Sequence, residues 1–164
     1  MAAMRELTMR VSSSWTEIIR VNEAVDHFMR RHGVAVEEAQ AFTMVACELV
    51  ENAIKYGYFR HENEGVLLGV RLTDSSVVVQ VTNPVSEQSK TYLRELDRII
   101  QWTRGFQDPF EAYVERVKAI SGEPLSMSKS CLGIARVAYE GRAALDFYLD
   151  EDGTLSVSAV AGIA

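Results

Sequence analysis

The sequence predicts an α+β fold, a two-layer α/β sandwich whose mixed, mostly antiparallel sheet is covered by helices on one face. Three observations carry this reading. Two pairs of segments alternate apolar and polar residues around short polar turns, two early segments carry helical apolar spacing, and a late helical segment precedes the second alternating pair. At 164 residues, without an internal repeat or a linker-like stretch, the chain reads as a single domain over residues 1–164.

Leu7, Met9 and Val11 alternate with Thr8 and Arg10, a short strand ending at Ser12-Ser13-Ser14. A helix follows, with Ser14 and Glu17 at capping-box spacing and a stripe of Ile18, Val21, Val25, Phe28 and Met29 that stops at Gly33. The segment from about residue 37 to 56 is a second, more apolar helix ended by Gly57, and a polar loop runs on to Gly65. Val66, Leu68, Val70 and Leu72 alternate, Asp74-Ser75 make a turn, and Val77, Val79 and Val81 alternate back until Asn83-Pro84. Leu93, Leu96, Ile99 and Ile100 then mark a helix ending near Gly105. Another helix is signalled by Asp108 as cap, Pro109 at the first position and Glu111 three residues after the cap. A helix over residues 131–139 ends at Gly141. Leu145, Phe147 and Leu149, then Leu155, Val157 and Ala159, form a second hairpin around Asp152-Gly153.

Composition excludes several classes of function. With 17 Lys+Arg against 23 Asp+Glu the formal charge is −6, and the largest basic run is Arg30-Arg31-His32, so no nucleic-acid partner is expected. Cys47 and Cys131 stand in apolar stretches without ligand spacing and read as small core residues. Residues 1–14 have no leader pattern and no run of about 18 apolar residues occurs, so a cytoplasmic chain with no membrane partner is expected. His27, His32 and His61 lack a metal-ligand spacing, Trp15 and Trp102 read as core or lid anchors, and Asp150-Glu151-Asp152 as a solvated turn.

The most informative segment is the second helix. At about 100° per residue, Glu48, Asn52 and Lys55 fall within a sector roughly 60° wide, and most of the remaining circumference is apolar. Such a stripe suits a pocket: an amide oxygen is a hard ligand for magnesium, a carboxylate can orient or deprotonate a nucleophile, and an ammonium can meet phosphate. It equally suits a solvated face carrying a Glu51–Lys55 pair.

The string Glu48-x-x-x-Asn52-Ala53-x-Lys55-Tyr56-Gly57 resembles the N box of the histidine-kinase-like ATPase superfamily, the GHKL or Bergerat fold. The order of elements is similar to its anti-sigma factor serine kinase branch, over nearly the whole chain. The resemblance implies ATP and Mg2+ as cofactors, with Asn52 holding magnesium, Glu48 as general base and Lys55 near the phosphates. It further implies a serine/threonine kinase, a STAS-like protein partner and a homodimer. Asn83 matches the adenine-binding aspartate of the next box, although Val85 and Glu87 replace its glycines, and a plain Asn-Pro turn accounts for the same residues. Leu132 and Gly133 resemble the second half of the glycine-rich lid motif, where backbone amides at a helix start meet phosphate. Residues 86–130 between these boxes read as an enlarged helical lid. The lost glycines also fit a second outcome, a nucleotide-free pseudo-enzyme of the same fold that acts by binding its partner.

Overall fold

The computed structural model describes residues 3–61, 64–105, 115 and 132–163. Strand β1 (Arg5–Ser12) leads into helices α1 (Glu17–Arg31) and α2 (Val36–Tyr56), followed by the hairpin β2 (Gly65–Leu72) and β3 (Ser76–Pro84). A short 3-10 turn (Glu87–Ser89) opens α3 (Lys90–Arg104), and α4 (Leu132–Glu140) precedes β4 (Ala144–Leu149) and β5 (Thr154–Gly162). The helix expected from Asp108 onward, and Cys131, lie outside the described residues.

The five strands form one sheet in the order β1-β2-β3-β5-β4, and every pairing is antiparallel. Val66, Leu68, Val70 and Leu72 on β2 are buried, as are Val77, Val79 and Val81 on β3 and Leu155, Val157 and Ala159 on β5. Successive side chains of a strand point to opposite faces, so these residues share one face, and α1 and α2 pack on it. The core between the layers also takes in Tyr92, Leu96, Ile99 and Ile100 of α3, which places this helix inside the packing.

Several local signals resolve differently from their sequence reading. Helix α1 begins only at Glu17, with Thr16 at the N-cap and no side-chain cap, so Ser14 and Glu17 do not form a capping box. Standing at the first helical residue, Glu17 reaches back instead: its Oε1 accepts from the Ser12 amide at 3.3 Å and the Ser12 hydroxyl at 2.8 Å. Arg20 completes the arrangement, bonding Glu17 through Nε at 2.6 Å and donating through Nη2 to the Arg10 carbonyl at 2.6 Å. The edge strand β1 is thus covered at Arg10 and Ser12 by α1. At the opposite edge Arg104 of α3 donates to the Leu145 carbonyl, and the Asp146 carboxylate accepts from the Phe147 amide at 2.9 Å.

Trp15 is 56% exposed and anchors no core, and the Leu149 end of β4 is exposed as well. Gly33 has φ +83 and ends α1 in the left-handed conformation that glycine adopts without strain. Gly57, by contrast, ends α2 at φ −68. A Cβ there would stand 2.5 Å from the Ala53 carbonyl and 2.9 Å from Asn83 Nδ2, so the glycine serves close approach.

Candidate functional site

Helix α2 owes its position to its composition. Apolar residues occupy most of its circumference; Ala39, Val45, Ala46, Leu49, Val50 and Ala53 are buried, and the helix packs against α1, the sheet and the helix over Leu132–Glu140. The Glu48–Asn52–Lys55 stripe is the polar part of this largely buried surface. Exposure differs along the stripe. Lys55 is exposed, with Nζ 5.4 Å from the centre of the Tyr56 ring, whereas Asn52 retains 6% of its exposure. A solvated face does not describe Asn52.

Asn52 Nδ2 is buried without a hydrogen-bond partner, and so is the hydroxyl of Tyr56 one turn further on. Burying a donor unpaired is costly, so this pair of groups is where a polar guest would gain most. The carboxamide can be turned end for end, which exchanges Nδ2 for Oδ1 and offers a hard oxygen at the same place. No group of three or more His, Cys, Asp or Glu suited to a metal occurs among the described residues. A cation at Asn52 would therefore complete its shell with phosphate and water oxygens, which is magnesium's usual habit, and the residues present fit that group.

Glu48 keeps 19% of its side-chain exposure and meets Arg136 of α4, with Nη1 3.2 Å from Oε1. Burial, with the charge of Glu51 alongside, pushes its carboxyl up from the ordinary value, and Arg136 works against that rise. The approach of α4 depends on Gly141: a Cβ at that position would lie 2.5 Å from Val45 Cγ2 and from the Val137 carbonyl. Gly141 stands at Val45 and Arg136 at Glu48, so the helices run antiparallel, and the start of α4, with Leu132 and Gly133, lies towards the Asn52 end.

Asn83 closes the other side of the stripe's C-terminal end. It lies in β3 opposite Leu155 of β5, is 3% exposed, and donates from Nδ2 to the Pro84 carbonyl at 3.0 Å. The Tyr58 amide donates to the same carbonyl at 2.9 Å. With Nδ2 so engaged, Oδ1 is the atom left to accept a hydrogen bond from a guest such as an exocyclic amine. Arg142 is the only non-glycine residue with positive φ among the described residues, so Val85 sits in an ordinary conformation despite replacing a glycine. Its amide donates to the Gly153 carbonyl at 2.8 Å.

The fold thus brings the end of the α2 motif against Asn83 and sets Glu48 against α4. Three participants were not legible in the motifs. Tyr92 stacks on Tyr56 with ring centres 3.9 Å apart and planes 11° apart, Ser89 donates its hydroxyl to the Tyr56 carbonyl at 3.0 Å, and Arg136 engages Glu48. All three come from segments distant in sequence from α2. Only the apolar spacing that carries Leu96 and Ile99 onto the core hinted at where Tyr92 goes.

No family model matches the chain, and no curated protein matches it in sequence. Among solved structures it is similar to a chain in the crystal structure of the SiaB-SiaC complex from Pseudomonas aeruginosa, with a TM-score of 0.68 and 22% identity. The match covers 94% of this chain and 88% of that one, a likeness of fold that extends over nearly the full length of both.

Proposed function

We propose that this protein is an ATP-binding regulator of the histidine-kinase-like ATPase fold that controls a protein partner, with Mg-ATP-dependent phosphorylation of a partner Ser or Thr as its reaction. The observation that carries this reading is the buried Asn52 carboxamide, unpartnered at Nδ2, on the same helical stripe as the half-buried Glu48. The similar fold of a chain that occurs in a two-protein complex supports a protein partner. A STAS-like partner, a homodimer and a cytoplasmic setting follow from the family resemblance and the composition. No helix among the described residues is long and apolar enough to cross a membrane.

In this reading Asn52 would hold magnesium, which would supply neutralisation of phosphate charge. Glu48 accepts the proton of the partner's hydroxyl, and its raised affinity for protons suits it to that task. Lys55 and the start of α4 at Leu132 and Gly133 would favour phosphate by charge and by helix-start amides, while Asn83 Oδ1 would accept a hydrogen bond from adenine.

The pseudo-enzyme reading has an observation of its own. The stack of Tyr92 on Tyr56 and the Ser89 hydrogen bond fasten α3 to the end of α2, which favours a filled site that presents only a binding surface. Calorimetric titration with ATP, with and without magnesium, separates the two. The wild type is expected to bind in a magnesium-dependent way, and Asn52→Ala to weaken that binding by about tenfold or more. Absence of magnesium-dependent binding by the wild type refutes the nucleotide reading. Binding without phosphate transfer to any partner refutes the kinase step alone.

A further inference from the structure

The carboxylate assigned as base does not stand alone. Arg136 places Nη1 3.2 Å from Glu48 Oε1 and Nε 3.0 Å from Glu140 Oε2, so one guanidinium ties α2 to α4 and is itself held by a residue one turn along its own helix. The charged groups acting on Glu48 are Glu51 from α2 and Arg136 and Glu140 from α4. Two of the three are acidic. Without the guanidinium, a carboxylate this enclosed would stand among like charges.

We propose that Arg136 is the positioning residue of Glu48: its planar fork holds the carboxylate charged and turned by one oxygen, Glu140 fixes the fork, and the second carboxylate oxygen is left to take a proton. This rests on the reading of Glu48 as base. The geometry favours positioning over blockade because the guanidinium bonds Glu48 through Oε1, and a carboxylate that accepts one charge-assisted hydrogen bond keeps lone pairs for a second. A lysine in the same place retains the charge and loses the two-point hold, so the two substitutions separate charge from orientation.

The test compares wild type, Arg136→Ala and Arg136→Lys in the full chain. In the free protein, the Glu48 carboxyl is titrated by carbon-13 NMR. Removal of the cation is expected to move its midpoint upward in Arg136→Ala and to leave it near the wild-type position in Arg136→Lys. Phosphate transfer to the partner is then followed against pH. For Arg136→Ala, kcat at neutral pH is expected to fall by about tenfold, with the acid limb displaced upward, KM for ATP unchanged, and partial recovery on adding guanidinium ion. In Arg136→Lys the acid limb is expected to stay while kcat falls. An unmoved Glu48 midpoint in folded Arg136→Ala overturns the proposal, and so does a lysine variant as active as wild type. If the midpoint moves while the wild type transfers no phosphate, the positioning role stands and the kinase reading falls.

Discussion

Glu17 carries the plainest pH signature among the described residues. Its hydrogen bond from Arg20, followed by that from the Ser12 hydroxyl, holds its carboxyl down to about 2, well below the ordinary carboxylate range. A carboxylate whose value is depressed by folding stabilises the native state fully above its unfolded value and loses that contribution as pH falls through the folded one. The window therefore runs from about 4.5 down to about 2. Urea midpoints measured across it are expected to fall more steeply for wild type than for Glu17→Gln, and the two variants should converge at the acid end. Glu48 has the opposite sign: its raised value favours the protonated form, so ionising it on the way to neutral pH works against folding.

Among the elements, α3 is the one whose role the structure most sharpens. Its apolar period was legible because Leu93, Leu96, Ile99 and Ile100 recur at helical spacing, and a helix with such a stripe must bury it. What that stripe packs against was not legible, since Tyr92 reaches Tyr56 across 36 positions of chain and an aromatic next to polar residues carries no periodic signal of its own. Leu96→Ala is expected to lower the unfolding free energy by about 2–5 kcal/mol, a core-sized loss, whereas exposed Arg94→Ala should change it by less than about 0.5 kcal/mol. Denaturant melts of the two variants check this. A loss at Leu96 as small as that at Arg94 would mean that α3 is only a loosely held cover. The same limit applies to the site. Glu48, Asn52 and Lys55 were legible because one helix carries all three, but Arg136 lies 88 residues beyond Glu48 and only the docking of α4 brings it there.

At the scale of the whole molecule, both hairpins were legible because alternation and turn residues are local signals, whereas the way the hairpins join was not. The second hairpin enters the sheet through β5, not through the earlier β4, and the β3–β5 ladder that results pairs Ser76 with Gly162 at one end and Pro84 with Thr154 at the other. That choice makes β1 and β4 the outer strands. An outer strand offers unused amides and carbonyls to any extended segment, including one from another copy of the chain. Here an arginine from a neighbouring helix takes a carbonyl on each outer strand, and a carboxylate takes an amide. Each outer strand therefore has two of its backbone groups already taken by side chains. Replacing Arg20 and Arg104 together by alanine is expected to give a folded protein that forms larger species as concentration rises, seen by sedimentation velocity and thioflavin fluorescence. A double variant that sediments like wild type at every concentration would show that these caps do not limit assembly. If they do, two exposed arginines outside the α2 stripe set how concentrated the protein can become before its own strands begin to propagate.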